Sequence, residues 1–361
     1  MTYEVNCSQD SKLPKIWRER GAEKKGNVAT IYIMAVLEIP VVDLSLGEEE
    51  VVRTLRRACS TAGFFFLAGH GLDPELVREV FCGARDFFAR DQKTKDGFKA
   101  KQGEHPFGYQ SAIEENIRLD PAGQEHPDQR EQLKFGRGNY LTDYNNFMEF
   151  GCHRPTRGPR PDDRSVVWLS DATSEPWRRR VDEYFEGVSS LGHRLLRLLA
   201  ISLGLEEDFF DASFTRPLEL MNLNYYHAQK AKLGCGSHTD YGMVTILRTD
   251  GVPGLQVCSD KTRPEGLREW IDVDAAEGHF VVNCGDMLER WTNGRYVSNL
   301  HRVVNKTGGE RVSVAFFFEP DVNATVKPAV SVAEGRDGRA YDPVVYGEWL
   351  QQKYVDTGEV I

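Results

Sequence analysis

From residue 218 to 319 the chain consists almost entirely of short strand-like runs. LELMNLNYY, HTDYGMVTILR, GLQVC, EWIDV, HFVVNCG, VSNLHRVVN and RVSVAFFFEP follow one another, turned by Gly, Asp and Pro. Six or more short strands at this spacing predict a sandwich or a jelly roll. The segment before them, residues 175–205, is the strongest amphipathic helix in the chain and is expected to support the sheet.

The remaining elements are fewer. Residues 48–62 have apolar positions at helical spacing, closed by Gly63, and GFFFLAGHGL then reads as a buried strand. A second helix is expected over 74–95, opened by Pro74, with Val77, Val80, Phe81, Ala84, Phe87 and Phe88 on one face. DPVVYGEWLQQKYVD predicts a last helix over 341–357. Residues 103–165 are rich in Gly, Pro, Asn, Asp and His, a composition that suits lids, binding loops or surface wrapping. Part of that stretch is expected to close over a substrate, using aromatic positions such as Phe107, Tyr109 and Phe135. Residues 1–33 are polar and charged before the pattern changes abruptly at Met34. A flexible extension over 1–37 and a single domain over 38–361 are therefore expected. Within that domain, 38–205 form a helical and strand half and 206–325 the β core.

Composition narrows the class of protein. The 361 residues carry a net charge of −10, which argues against a general binder of nucleic acid or of anionic membranes. No segment reaches 18 uninterrupted apolar residues, and MTYEVNCSQDSKLPK has no apolar core of a secretory signal. The seven Cys, at 7, 59, 82, 152, 235, 258 and 284, include no CxxC pair. They read as reduced thiols of a cytoplasmic protein rather than a disulfide or zinc framework. A monomer acting on a small molecule is the expectation.

His238 and Asp240 stand two apart, and on a strand residues i and i+2 share a face, so both can converge on one ion. His301 follows in SNLHRVVN, and Arg311 and Ser313, again two apart, in RVSVAFFFEP. Two imidazoles and a carboxylate on one face of an ion leave three positions open, which suits Fe(II) with O₂ and a chelating co-substrate. Zinc hydrolases use similar ligands but are not expected to pair them with a strand-borne Arg-x-Ser. A guanidinium beside a hydroxyl makes a fork for a carboxylate.

In these residues the chain resembles the iron- and 2-oxoglutarate-dependent dioxygenases of the isopenicillin-N-synthase-like family. The resemblance covers roughly residues 38–325: IPVVDLS, ACSTAGFFFLAGHGL, NYYHA, GSHTDYGMVTILR, GLQV, VVNCGDMLERWTNG, HRVV and RVSVAFFFEP, in order. It implies a double-stranded β-helix (jelly roll) flanked by N-terminal and C-terminal helices. It implies iron ligation by His238, Asp240 and His301, and binding of the distal carboxylate of 2-oxoglutarate by Arg311 and Ser313. Tyr226 is similar to a tyrosine that also contacts the co-substrate, with Asn224 beside it. The implied reaction consumes 2-oxoglutarate and O₂, releases succinate and CO₂, and hydroxylates, desaturates or cyclises a small organic molecule. His227 departs from the family pattern, where proline follows NYY; a local turn change is expected. Other readings stay open. An iron-only oxidase like isopenicillin N synthase would use Arg311 and Ser313 for its substrate's carboxylate. An ethylene-forming type would fragment 2-oxoglutarate itself, and a sensor would carry no reaction at all.

Several conspicuous residues are expected to be structural. These are His70 in a tight turn, His193 and His279 in packing or at the surface, Asp286 as a turn cap, and Cys235 and Cys284 in packing. Alternate rings of Phe316, Phe317 and Phe318 should fill the core, and Arg178, Arg179 and Arg180 should form a solvated helix face.

Overall fold

The computed structural model describes residues 2–6, 24–25, 28–32, 37–99, 107–111, 117–119, 125–127, 130–137, 175–228, 233–330 and 340–357. The chain divides into two compact units, Met1–Glu38 and Ile39–Ile361. In the first, Thr2–Asn6 pairs antiparallel with Val28–Tyr32, which pairs with Lys24–Lys25. The charged sequence of this segment gives no sign of that pairing. Its flexibility stays a proposal with a direct check: a chain starting at Met34 is expected to keep its melting temperature and activity. A large fall in melting temperature would show that the segment is docked.

The second unit is a jelly roll with helices against one sheet. The strands of its two main sheets are β1 (Val41–Asp43), β2 (Phe64–Ala68), β3 (Gly108–Gln110), β4 (Arg130–Gly136), β5 (Leu218–Tyr226) and β6 (Leu233–His238). They continue with β7 (Val244–Thr249), β8 (Leu255–Cys258), β9 (Trp270–Asp272), β10 (Phe280–Cys284), β11 (His301–Val304) and β12 (Arg311–Glu319). The large sheet has eight strands in the order β1-β2-β10-β7-β12-β5-β4-β3, and the small one four in the order β6-β11-β8-β9. Four of the eight strands of the large sheet precede residue 206, so the β core is not confined to 206–325 as its sequence boundaries suggest. Phe107, Tyr109 and Phe135 are buried in this sheet region and its core. They are therefore not lid residues, and most of the rest of the expected 103–165 stretch, including 138–165, lies outside the described residues.

The helices are α1 (Glu48–Thr61), α2 (Pro74–Phe88), α3 (Glu175–Leu203), α4 (Asp286–Trp291) and α5 (Tyr346–Thr357). The helix expected over 74–95 ends at Phe88, and a short one restarts at Gln92 because the Asp91 side chain caps Thr94 N–H. Strand alternation sends Phe316 and Phe318 to one face of β12, where they meet α3: Phe316 lies edge-on to Phe185 at 5.0 Å and Phe318 to His193 at 5.0 Å. Helices α2 and α3 approach closely at Gly83, where a Cβ would lie 2.1 Å from the Trp177 ring.

On the same helix-facing side, Glu131 is buried in a polar cluster. Lys95 Nζ lies 2.6 Å from its Oε2, the Tyr109 hydroxyl donates to Oε2 at 2.6 Å, and His227 Nε2 lies 2.9 Å from Oε1. His227, the departure from the family pattern, thus has a partner in this cluster. Burial alone would raise the Glu131 pKa, but hydrogen bonds from His227, Lys95 and Tyr109 outweigh it and hold it at about 2. A carboxyl lowered in the folded state stabilises the fold above its unfolded pKa. Its contribution is expected to be lost as pH falls from about 4.5 toward about 2. Lys95→Met leaves the buried carboxylate without its cation and should cost about 3–5 kcal/mol in urea unfolding at neutral pH. A loss below about 1 kcal/mol, the scale of an exposed pair, would contradict that reading.

Candidate active site

His238 ends β6 and His301 opens β11, and the two face each other in the register of that antiparallel pair. Asp240 lies beyond the end of β6, in the turn leading to β7, and not on a strand with His238. The turn, rather than strand alternation, brings the three together. Both His238 Nε2 and His301 Nε2 lie 3.6 Å from Asp240 Oδ1, and the imidazole centroids are 4.1 Å apart. One ligand atom from each residue falls within 4.8 Å of the others.

The surrounding backbone selects the tautomers. His238 Nδ1 is 2.8 Å from the Gly236 carbonyl and His301 Nδ1 is 3.2 Å from the Asn299 carbonyl. A carbonyl only accepts, so each Nδ1 carries the hydrogen and each Nε2 presents a lone pair toward the shared point. Asp240 Oδ2 accepts from Thr245 Oγ1 at 2.5 Å and Asn283 Nδ2 at 2.7 Å, which aims Oδ1 at the imidazoles. Burial opposes ionisation of Asp240, but the positive charge that His301 and His238 carry when protonated, together with these two donors, outweighs it and lowers its pKa. Two neutral Nε2 donors and an ionised carboxylate form a set that can hold Fe(II). The edge of Phe64, from β2, covers His301 with ring centroids 5.5 Å apart.

A second cluster lies on the β5–β12 ladder, where Tyr226 faces Arg311 and Asn224 faces Ser313. Arg311 is only 1% exposed. Its Nη1 donates to Ser313 Oγ at 3.2 Å, its Nε donates to the Val252 carbonyl at 3.2 Å, and its guanidinium lies 4.9 Å from the Tyr226 ring centroid. Among the described residues it forms no ion pair. A buried guanidinium held by neutral groups has the chemistry to receive an anion.

The comparisons agree with this chemistry. The family model of the 2OG-Fe(II) oxygenase superfamily matches residues 217–320, and that of the non-haem dioxygenase in morphine synthesis N-terminal region matches 39–170. The 2-oxoglutarate-dependent dioxygenase caaD of Aspergillus niger is 34% identical over 302 residues, 80% of this chain and 86% of that protein. The chain belongs to the 2-oxoglutarate- and Fe(II)-dependent oxygenases. Homoarginine-6-hydroxylase 2-ODD-233 of Oryza sativa is 32% identical over 84% of this chain and 88% of its own length. Among solved structures, JOX2 in complex with 2OG, Fe and JA is 27% identical, with a TM-score of 0.66 over 87% of this chain and 84% of that one. The dioxygenase for auxin oxidation of rice is 27% identical over 89% of this chain and 96% of that one, with a TM-score of 0.64. The oxygenase is thus an oxidoreductase using Fe(II), 2-oxoglutarate and O₂.

The structure brings all seven sequence-predicted site residues of the oxygenase into these two clusters. Of the residues expected to be structural, His70 and Asp286 have structural contacts, whereas the buried Cys235 Sγ lies 3.7 Å from His238 Nδ1. His70 Nε2 donates to the Gly278 carbonyl at 2.8 Å while its Nδ1 accepts from Leu72 N–H at 3.1 Å. Asp286 accepts from Ser298 Oγ at 2.7 Å and Thr239 Oγ1 at 3.3 Å, tying the turn before it to the metal-site turn. Sequence reading missed Thr245, Asn283, and the carbonyls of Gly236, Asn299 and Val252. The signal for Asn283 is register: it pairs with Thr245 across β7 and β10, so both point to the Asp240 side. Asn283→Leu removes one of the two donors that aim the carboxylate and should weaken Fe(II) binding about 10–100-fold with the fold intact. Anaerobic Fe(II) titration checks this, and unchanged affinity would contradict it.

Proposed function

We propose that this oxygenase couples oxidative decarboxylation of 2-oxoglutarate to oxidation of a small organic molecule, releasing succinate and CO₂. In this reading His238, Asp240 and His301 are the iron ligands. Arg311, Ser313, Tyr226 and Asn224 bind the co-substrate. Fe(II) held there supplies the redox chemistry that activates O₂. The chain's own residues do the rest. Arg311 neutralises the distal carboxylate, and Ser313, whose oxygen already accepts from Arg311, keeps its hydroxyl hydrogen to donate. Tyr226 holds the guanidinium by its ring face, and burial keeps its hydroxyl protonated by raising its pKa. The Phe64 ring shields the metal site from water on one side.

The observation that carries this reading is Arg311, a buried cation with no anionic partner among the described residues, on the large sheet of a fold that also assembles the His-Asp-His set. The experiment is succinate release from 2-oxoglutarate under air by iron-loaded protein, screened against a library of small organic molecules. Succinate that rises with particular compounds supports the reading, and none with any compound contradicts it. We further infer a cytoplasmic monomer that binds neither nucleic acid nor membrane. Support comes from the net charge of −10, the free thiols of Cys59, Cys82, Cys235, Cys258 and Cys284, and the lack among the described residues of a helix long and apolar enough to cross a membrane.

A further inference from the structure

The face of the large sheet that carries Arg311 and Ser313 also carries a row of carboxamides. Reading across the strands from β3 to β12, Gln110 faces Gln132, Gln132 faces Asn224, and Asn224 faces Ser313. Asn222, two residues before Asn224, shares that face. Gln132 is 1% exposed, Asn224 4% and Asn222 7%. Polar side chains this deep are ordinarily fully hydrogen-bonded.

Their amide orientations follow from one another. Asn224 Nδ2 donates to the Asn222 backbone carbonyl at 3.3 Å, which turns Asn224 Oδ1 toward Gln132. Gln132 Nε2 donates to that Oδ1 at 2.6 Å. Gln132 cannot be flipped without setting two carbonyl oxygens against each other, so its Oε1 is fixed as an acceptor that does not face Asn224. That Oε1 has no hydrogen-bond partner among the described residues, and neither have Gln110 Oε1 and Asn222 Oδ1. The row therefore offers at least one acceptor of fixed orientation that needs a donor. The dianion of 2-oxoglutarate has no N–H or O–H and cannot supply one.

We propose that Gln132, with Gln110 and Asn222, is the recognition site for the organic substrate, and that it selects small molecules bearing O–H or N–H donors, such as alcohols, amides or lactams. The proposal rests on the reading above, in which Arg311 and Ser313 hold 2-oxoglutarate. A wholly hydrocarbon face presented to this row leaves the acceptor unpaired, and a molecule with its donor blocked does the same. Discrimination therefore comes from the donor.

The test uses the iron-loaded full-length enzyme at saturating 2-oxoglutarate, as wild type and as Gln132→Leu and Gln110→Leu. The probes are matched pairs: alcohols against their methyl ethers, and carboxamides and lactams against their N-methylated forms. Half-saturating concentrations are read from thermal shift and from stimulated succinate release. The wild type should favour the donor-bearing member of a pair by about ten- to hundredfold, the effect of leaving a buried acceptor unpaired. Gln132→Leu should bring that ratio close to one. The proposal is overturned if the wild type treats both members alike, or responds to no donor-bearing probe. It is equally overturned if Gln132→Leu weakens both members and 2-oxoglutarate by the same factor, the mark of a purely structural side chain. Failure of the underlying reading has its own signature: wild-type enzyme that gains no thermal stability from 2-oxoglutarate and releases no succinate.

Discussion

His301→Ala is expected to abolish turnover of 2-oxoglutarate and to weaken Fe(II) binding by more than about 100-fold, beyond the loss from an outer hydrogen-bond partner. The three proposed ligand atoms converge from two strand ends and one turn, and Nε2 of His301 is one of two nitrogens at 3.6 Å from Asp240 Oδ1. Without it, one imidazole and one carboxylate remain, and Asp240 loses a neighbour that helps keep it ionised. The fold should survive. The backbone of residue 301 stays in register with His238 on one side and Val257 on the other, and the core beneath the large sheet is apolar and independent of the metal. The cavity left beside Phe64 is that of a single imidazole on one strand. Anaerobic Fe(II) titration with circular dichroism separates the two effects. Unchanged stoichiometry and affinity would remove His301 from the ligand set.

Arg311→Met should raise the KM for 2-oxoglutarate by the equivalent of about 2–3 kcal/mol, the scale of a hydrogen bond to a charged group. Arg311→Lys should not restore it, because a point charge loses the forked geometry. The same substitution tests the electrostatics in the opposite direction. In the protein without co-substrate, Arg311 is a buried cation held by the Ser313 hydroxyl, the Val252 carbonyl and the Tyr226 ring. Replacing it by an apolar side chain of similar length removes a desolvated charge, so Arg311→Met should be neutral or stabilising without ligand. Stabilisation by added 2-oxoglutarate should be lost in the variant. A variant destabilised without ligand but still stabilised by 2-oxoglutarate would mean that the guanidinium serves the fold and not the co-substrate.

Much of this site can be read from the sequence because its residues sit on elements with strong local signals. The strand over RVSVAFFFEP is β-branched and aromatic, so alternation alone places Arg311 and Ser313 on one face and Phe316 and Phe318 on the other. The same alternation fails at HTD. His238 is the last residue of its strand, and the convergence with Asp240 depends on a turn whose geometry no local pattern encodes. Gly285 shows how tight that region is: a Cβ there would lie 2.2 Å from the Gly242 carbonyl oxygen and 3.2 Å from that of Asp240. Residues 107–111 and 130–137 are harder to read because they are set among Gly- and Asp-rich sequence. Only pairing of β4 with β5, pairing of β3 with β4, and burial of Phe107, Tyr109, Leu133 and Phe135 make them part of the sheet. The groups that orient the site, Thr245, Asn283 and Gln132, belong to different strands and meet through register. Such neighbours are set by the long-range topology, which a single sequence does not spell out.

Binding of 2-oxoglutarate to Fe(II) at this site, with the Arg311 cluster on its distal carboxylate, can be observed directly. The most direct measurement adds 2-oxoglutarate anaerobically to the iron-loaded protein and records the visible spectrum. Wild type should show the weak charge-transfer absorption of an Fe(II)–keto acid chelate and saturate, and Arg311→Met should require far more co-substrate. No absorption at millimolar 2-oxoglutarate, together with no succinate under air, would contradict this binding and leave an iron-only oxidase, with Arg311 on the organic substrate's carboxylate, as the better description.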